Sequence, residues 1–331
     1  MTDQNNKNRV ASALAQPNIA LVKYWGKADT ATNTPAVGSL SVTLAGLTTS
    51  TTLRCGPEIR EDRFVLNGAE EPAMGTRSFA FVDAALPHGR VPLSIDTANN
   101  FPTAAGLASS ASGFAALTVA LNALFDLGLT RHQMAVLAGR GSGSAARSLF
   151  GGFVRLDTTG DATTPIALRE LSATAMPLHV VIGVTSTARK SVGSTQGMQH
   201  TRDTSPYYAQ WVASHEQDLA TAESAITSGD FDALAAVSEH SCLKMHAVMQ
   251  AANPPLLYWN AATIECMHRI RALRAAGTPV FFTIDAGPQI KAVCAPDAAD
   301  IVRDALADIA GVQDILDAPL GGGAMVVDSN G

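Results

Sequence analysis

A run of small and hydroxyl-bearing residues, from Pro102 to Ser112, is the stretch of the sequence best suited to bind a phosphate group. Its small side chains would let a ligand approach the backbone, and it leads directly into an apolar segment with helical spacing. A helix N-terminus offers free N–H groups and a partial positive charge to an anion. Ser109, Ser110 and Ser112 add hydroxyl donors and candidate Mg²⁺ ligands. The Walker A pattern is absent, and a tight turn with serine caps would have the same composition.

Three other stretches combine positive charge with hydroxyl or aromatic side chains. Residues 139–147 carry Arg140 and Arg147 among glycines and serines, and arginine can bind a carboxylate or a phosphate with two parallel hydrogen bonds. The other two stretches contain Lys23 and Lys27 beside Tyr24 and Trp25, and Arg189 and Lys190 beside Ser194 and Thr195. Each of the three is equally compatible with an exposed segment whose cations face solvent.

Asp285 follows an apolar stretch that reads as a strand, and Ala286, Gly287 and Pro288 come directly after it. A carboxylate in this position is a candidate general base, but an aspartate also commonly starts a turn before Gly-Pro. The eight histidines form no H-x-x-x-H or H-E-x-x-H pair, and there is no G-x-S-x-G motif. If the cationic loops and Asp285 converge, the residues favour phosphoryl transfer involving an anionic small molecule, which needs charge neutralisation and positioning.

The composition limits the kind of protein that carries these residues. The chain has 331 residues, is 47% hydrophobic, and has a net charge of −6, which argues against disorder and against nucleic-acid binding. Its four cysteines are scattered and form no C-x-x-C pair, so neither a zinc site nor a disulfide framework is expected. The N-terminus has no apolar signal region, and no apolar run approaches the roughly 18 residues of a membrane span. We therefore expect a soluble cytoplasmic protein.

The candidate residues would be positioned by a strand-rich first half and a helix-rich second half. We expect a strand over 19–24, a strand or hairpin over 39–53, a helix from Thr130 with Gln133 as its capping-box partner, and loops over 139–144 and 185–204. One long helix is expected from 205 to 228, and Gly229 would end it. The order of elements favours an α+β fold over a doubly wound sheet. A domain boundary is predicted near 185, between residues 1–185 and 186–331.

The same stretches resemble a known family. Pro102–Ser112 is similar to the second motif of the GHMP small-molecule kinase superfamily, P-x-x-A-G-L-x-S-S-A. Within that superfamily, four further strings resemble the mevalonate diphosphate decarboxylases: N-I-A-L-V-K-Y-W-G-K at 18–27, S-G-S-A-A-R at 142–147, S-T-Q-G-M at 194–198 and D-A-G-P at 285–288. Their order and spacing match over nearly the whole chain, from about residue 12 to about residue 328.

The resemblance implies an N-terminal domain like ribosomal protein S5 domain 2, which would carry the ATP phosphate loop. It also implies a C-terminal ferredoxin-like domain carrying Asp285, with the site in the cleft between the two. The implied reaction uses ATP and Mg²⁺ to phosphorylate the 3-hydroxyl of (R)-mevalonate 5-diphosphate. Loss of phosphate and CO₂ then yields isopentenyl diphosphate and ADP, as part of isoprenoid biosynthesis. A homodimer is the family expectation, with neither a nucleic-acid partner nor a membrane.

The resemblance also implies roles for individual residues. Asp285 would orient or deprotonate the hydroxyl, Lys23 would pair with Asp285, and Arg147 would hold the substrate carboxylate. The residues expected to hold the substrate and its diphosphate are Tyr24, Trp25, Gly26, Lys27, Arg77, Ser142, Gly143, Ser144, Ser194 and Thr195. Those expected to bind ATP are Thr97, Gly106, Leu107, Ala108, Ser109, Ser110 and Ser112, and Ser110 is the candidate Mg²⁺ ligand.

Three positions depart from the family pattern. Gln289 replaces the usual asparagine after D-A-G-P, Thr97 stands where serine is expected, and Ala146 replaces a common cysteine. No charged catalytic group is lost, but Gln289 raises a question about substrate choice. The alternatives are a decarboxylase of mevalonate 5-phosphate, a mevalonate 3-kinase and a non-catalytic nucleotide-binding module. The presence of both Asp285 and Lys23 argues against the last two.

Overall fold

The computed structural model describes residues 8–101, 109–161, 164–172, 176–188 and 190–327, and within them it forms a mixed α+β fold. The strands are β1 (Arg9–Ala15), β2 (Asn18–Val22), β3 (Lys27–Asp29), β4 (Thr34–Pro35), β5 (Ser39–Thr43), β6 (Thr49–Cys55), β7 (Arg63–Leu66), β8 (Ala69–Glu70), β9 (Ser94–Asn99), β10 (Phe153–Thr158), β11 (Ile166–Leu171), β12 (His179–Val184), β13 (Val280–Ile284), β14 (Ile290–Cys294), β15 (Asp314–Pro319) and β16 (Met325–Val327). The helices are α1 (Pro72–Ala85), α2 (Ser109–Phe125), α3 (Arg131–Gly141), α4 (Ser194–Thr204), α5 (Tyr208–Ala213), α6 (His215–Ser228), α7 (Phe231–Gln250), α8 (Ala261–Ala275) and α9 (Ala299–Ala307), with 3₁₀ turns at Ala145–Leu149 and Pro296–Ala298.

Three larger sheets and one small hairpin form the framework. Their strand orders are β16-β1-β6-β9-β7-β8, β11-β10-β5-β2, β13-β14-β12-β15 and, for the hairpin, β3-β4. Helix α2 is rich in alanine and packs closely on β1 and β6, while α7 packs on both β2 and β13. Because α7 contacts strands of two different sheets, it brings the end of β2 close to the end of β13.

Short-range sequence signals correctly predicted where several helices begin or end. Thr130 and Gln133 form the expected capping box at the start of α3. Helix α6 ends at Gly229, whose φ of 72° lies in the left-handed region that favours glycine. Asp230 then caps α7 by accepting a hydrogen bond from the backbone N–H of Ala233. These signals act within one turn of the chain, so the sequence alone was sufficient to locate them.

Three expectations about the elements were wrong, and a fourth held only in part. Residues 39–53 contain strand, as expected, but they form no hairpin, because β5 and β6 belong to different sheets and do not pair. Residues 139–141 are the last turn of α3 rather than a loop. Helix α4 lies in the segment expected to be a loop, because its sequence is largely polar and only Gly197, Met198 and Thr201 are buried. The single helix expected over 205–228 is instead two helices that meet at Ser214.

The predicted boundary near residue 185 stays a prediction. Strand β12 belongs to the sheet of β13, β14 and β15, and β16 returns from the end of the chain to pair with β1. Among the residues that the structure describes, no helix combines the length and the apolar character that crossing a bilayer requires.

Candidate active site

Lys23 and Asp285 form an ion pair at the point where β2 and β13 end. Nζ of Lys23 lies 2.6 Å from Oδ1 of Asp285, and the lysine side chain is 1% exposed. The backbone N–H of Lys23 donates to the hydroxyl of Ser241 on α7 at 3.0 Å, which fixes the chain where it leaves β2. The pair expected from the resemblance is therefore present, and it joins the two halves of the chain.

A second lysine contacts the same carboxylate. Nζ of Lys291, on β14, lies 3.4 Å from Oδ2 of Asp285, and its side chain is fully buried. Burial raises the pKa of the Asp285 carboxyl, but the two ammonium groups outweigh burial and hold that pKa well below its usual range. Asp285 is thus ionised at neutral pH. Lys291 was not among the site residues expected from the sequence, although a lysine between Ile290 and Ala292 in an apolar strand was a usable signal.

Arg147 lies in the 3₁₀ turn after α3 and is 2% exposed. Its Nε donates to the side-chain oxygen of Asn18 at 3.2 Å, and its Nη1 donates to the hydroxyl of Ser39 at 2.6 Å. Within the described part of the chain Nη2 has no hydrogen-bond partner. Burial lowers the pKa of Arg147 to about 10, so the guanidinium remains a cation at neutral pH. A buried cation with an unused donor can bind a carboxylate strongly.

Tyr24, Trp25 and Gly26 follow Lys23 directly. The hydroxyl of Tyr24 is buried and has no hydrogen-bond partner among the described residues. It lies against Gly143, where a Cβ atom would come within 2.5 Å of it, so this approach requires glycine. Burial raises the pKa of Tyr24 to about 12, which keeps the hydroxyl protonated as a donor. Trp25 is buried, and its carbonyl accepts a hydrogen bond from Trp211 at 3.0 Å.

Two further lysines are held against hydroxyl groups near the start of α4. Lys27 donates to the hydroxyl of Thr195 at 3.1 Å. Lys190 donates to the hydroxyl of Ser194 at 2.8 Å and to the carbonyl of Ala286 at 3.1 Å. Burial lowers the pKa of both lysines, which indicates that neither ammonium group is fully hydrated. Arg189 lies outside the described residues.

The N-terminus of α2 lies beside the turn that follows α3. The hydroxyl of Ser142 is 3.3 Å from that of Ser110 and 3.3 Å from that of Ser144. Arg77, on α1, donates to the carbonyl of Gly141 at 2.6 Å. The structure thus groups hydroxyls and a cation from three separate segments, as a phosphate site would need.

A cavity of about 240 Å³ opens beside the N-terminus of α2. Apolar side chains from α1, β7, β9 and α2 line it, together with Thr97, Ser109 and Ser110. The hydroxyl of Thr97 donates to the carbonyl of Ser50 at 3.1 Å. Ser112 is fully buried, with its hydroxyl 2.6 Å from that of Thr49, so its ATP-binding role stays a prediction. The remaining expected ATP-binding residues, Gly106, Leu107 and Ala108, lie outside the described residues.

Gln289, which replaces the family's asparagine, lies behind the site rather than in it. It is fully buried, its side-chain oxygen accepts from the backbone N–H of Thr185 at 2.6 Å, and its amide donates to the carbonyl of Ser186. The longer amide therefore ties the segment after β12 to the turn that carries Asp285.

Comparison with known proteins agrees with this arrangement. Residues 15–167 match the model of the diphosphomevalonate decarboxylase-like N-terminal domain, and residues 180–317 match that of the mevalonate 5-diphosphate decarboxylase C-terminal domain. The diphosphomevalonate decarboxylase of Ganoderma lucidum is 37% identical over 305 residues, covering 84% of this chain and 76% of the relative. The one from Saccharomyces cerevisiae is 36% identical over 301 residues, covering 84% of this chain and 76% of the relative.

Solved structures give the same result. The crystal structure of mevalonate diphosphate decarboxylase from Staphylococcus aureus superposes with a TM-score of 0.91 at 33% identity, covering 97% of this chain and 99% of that one. The protein called MDDEF, in complex with MVAPP, AMPPCP and magnesium, superposes with a TM-score of 0.91 at 34% identity, covering 98% of this chain and 100% of that one. The chain therefore belongs to the diphosphomevalonate decarboxylase family.

Proposed function

We propose that this chain catalyses the ATP-dependent decarboxylation of (R)-mevalonate 5-diphosphate to isopentenyl diphosphate, releasing ADP, phosphate and CO₂. The observation that carries this proposal is the ionised Asp285 beside Lys23, with the buried guanidinium of Arg147 in the same site. A kinase must orient a hydroxyl, whereas a decarboxylase must also hold a carboxylate. The related protein MDDEF was determined with MVAPP and an ATP analogue, which supports the same substrates here.

The chemistry explains why ATP is consumed. A tertiary hydroxyl is a poor leaving group, so its oxygen first attacks the γ-phosphorus of ATP and ADP departs. Asp285 orients the hydroxyl and accepts its proton as the new O–P bond forms. Because the pKa of Asp285 lies well below its usual range, the carboxylate is a weak base, and orientation is its larger contribution.

The second stage breaks two bonds of the phosphorylated intermediate. The C3–O bond breaks and phosphate leaves with its electron pair. The C1–C2 bond then breaks, CO₂ leaves, and the electrons of that bond form the C2=C3 double bond. Arg147 is assigned to hold the carboxylate in line for this step through Nη2, while Lys23 stabilises negative charge on the transferred phosphoryl group.

The residues around α2 suit a nucleotide and Mg²⁺. The cavity has apolar walls that suit a base, and Ser109 and Ser110, at the start of α2, line it as well. No group of three His, Cys, Asp or Glu side chains forms a metal site within the described ranges. Ser110 and Ser142 offer hydroxyl oxygens as ligands, which suits a Mg²⁺ ion that would be held mainly by phosphates and water. When bound, the ion would neutralise phosphate charge.

The remaining expected contacts are assigned to the substrate. Tyr24, Lys27 and Arg77 supply donors for the diphosphate. The other residues proposed to hold the substrate are Trp25, Gly26, Ser142, Gly143, Ser144, Ser194 and Thr195. A homodimer remains a prediction of the family resemblance, and a cytoplasmic location remains a prediction from the sequence.

The test measures CO₂ release and ADP formation in parallel, with ATP and Mg²⁺. The substrates are mevalonate, its 5-phosphate and its 5-diphosphate. Equal CO₂ and ADP with the 5-diphosphate preferred is the expected result. ADP without CO₂ would instead indicate a kinase, and preference for the 5-phosphate would keep the mechanism but change the substrate. No turnover with any of the three would contradict the enzyme assignment.

A further inference from the structure

Two lysines from different strands hold the two oxygens of one carboxylate. Lys23, after β2, contacts Oδ1 of Asp285 at 2.6 Å, and Lys291, on β14, contacts Oδ2 at 3.4 Å. Single contacts leave a carboxylate free to rotate about its terminal bond, whereas contacts at both oxygens fix its plane. The plane matters because the lone pair that accepts the substrate proton lies in it.

The two lysines differ in what they can reach. The Asp285 side chain is 26% exposed, so it can meet a ligand, whereas Lys291 is completely buried. The contact with Asp285 thus gives the buried Lys291 a route by which it can act on the reaction. Burying a second ammonium group is costly, and a structural role would be filled as well by an apolar side chain at this position.

We propose that Lys291 is a positioning residue that fixes the plane of the Asp285 carboxylate and holds it ionised until it accepts the substrate proton. This inference rests on the proposed function, since it assigns Lys291 a part in orienting the substrate hydroxyl. Among the described residues, the titratable groups that act on Asp285 besides Lys291 are Lys23 after β2, Lys190 before α4, Arg147 in the 3₁₀ turn, and Cys242 and His246 on α7.

The effect of Lys291 on Asp285 can be measured separately from that of the titratable groups on α7. Burial lowers the pKa of His246 to about 3 and raises the pKa of Cys242, so both are neutral near pH 7. Of the groups named around Asp285, only the lysines and Arg147 then carry a charge that balances its carboxylate. Loss of Lys291 removes one of the two cations that contact Asp285, so the pKa of Asp285 rises toward its usual value.

The test is Lys291→Met, which keeps the shape of the side chain and removes the charge. We expect kcat to fall on the order of 10- to 100-fold with little change in KM for either substrate. The acid limb of the kcat–pH profile should move up by about one pH unit or more, because activity requires ionised Asp285. The matched control is Thr283→Val, at the residue paired with Lys291 across β13 and β14, and its pH profile should stay unchanged.

Thermal melting is recorded for every variant, and wild-type turnover is measured beside them. Lys291→Arg keeps a positive charge, so the acid limb of its kcat–pH profile should stay near the wild-type position. This variant provides a second test if Lys291→Met does not fold. A folded Lys291→Met enzyme with the wild-type kcat and pH profile would overturn the inference. The inference would also be overturned if the acid limb of Lys291→Arg moved to higher pH by as much as that of Lys291→Met. An inactive wild type would instead overturn the proposed function.

Discussion

The carboxylate of Asp285 accepts a hydrogen bond of 2.6 Å from Nζ of Lys23, across 262 residues of chain. Each residue stands immediately after a buried strand, and α7 packs against both strands. The pair is thus held by the framework of two sheets and one helix rather than by a flexible loop. This rigidity allows its role to be tested by substitutions that change charge but little else.

Asp285→Asn and Asp285→Ala should lower kcat on the order of 10³-fold, because the hydroxyl loses both its orienting acceptor and its proton acceptor. ATP affinity, measured by titration with a fluorescent ATP analogue, should be largely retained. Asp317→Asn is the control, since Asp317 is also paired with a cation, Arg303, but belongs to β15. An active Asp285→Ala enzyme would refute the role assigned here.

Arg147→Ala should reduce CO₂ release far more than it reduces ATP affinity, because the Nη2 donor of Arg147 is assigned to the substrate carboxylate rather than to the nucleotide. A loss on the order of 10²-fold or more in kcat is expected. Arg155→Ala is a suitable control, as Arg155, on β10, pairs with Asp157 and with two glutamates of α6. That control should lose stability and keep its activity. Unchanged CO₂ release by Arg147→Ala would contradict the prediction.

Tyr24→Phe removes a buried hydroxyl that has no partner among the described residues. We expect KM for the 5-diphosphate to rise about 10-fold, as for one lost hydrogen bond to a charged group, while the melting temperature does not fall. Tyr258→Phe is the comparison, because its hydroxyl donates to the carbonyl of Val192 at 3.1 Å. The melting temperature of Tyr258→Phe should fall. If Tyr24→Phe lost stability with KM unchanged, the hydroxyl would be structural.

Gln289→Asn restores the residue that the family usually has. The shorter side chain cannot reach both Thr185 and Ser186, so the free energy of unfolding should fall by about 1–3 kcal/mol. Preference for the 5-diphosphate over the 5-phosphate should not change, because Gln289 is fully buried. Denaturant unfolding and substrate competition measure the two effects. A change of substrate preference without a change in stability would show that Gln289 does act on the substrate.

We expect Lys190, which donates to the substrate-assigned Ser194, to make binding of the 5-diphosphate sensitive to alkaline pH. Burial and the neighbouring Lys291 lower its pKa, so its positive charge is lost at a lower pH than that of an exposed lysine. KM for the 5-diphosphate should therefore rise on the alkaline side. Lys190→Arg should flatten this rise, because a guanidinium stays charged there. Lys244→Arg, at a lysine paired with Asp218, serves as the control. Equal alkaline rises in wild type and Lys190→Arg would contradict the assignment.

The sequence by itself determined what depends on neighbours along the chain. The capping box at Thr130 and the left-handed Gly229 act within single turns, so their residues identified them. The motifs at 18–27 and 285–288 likewise carried the family and the pair of Lys23 with Asp285. Where an element's partner lay far away, local pattern failed, as it did for β5 and β6, which belong to different sheets.

Only the tertiary structure decided what surrounds each functional group. Lys291 looks like an isolated polar residue in a strand until the register of β13 and β14 places it beside Asp285. The burial of Gln289 and its two backbone partners likewise cannot be read from a single sequence position. Hydrogen-bond partners, burial and pKa shifts depend on distances across the fold, and the chain acquires those distances only when its sheets pack together.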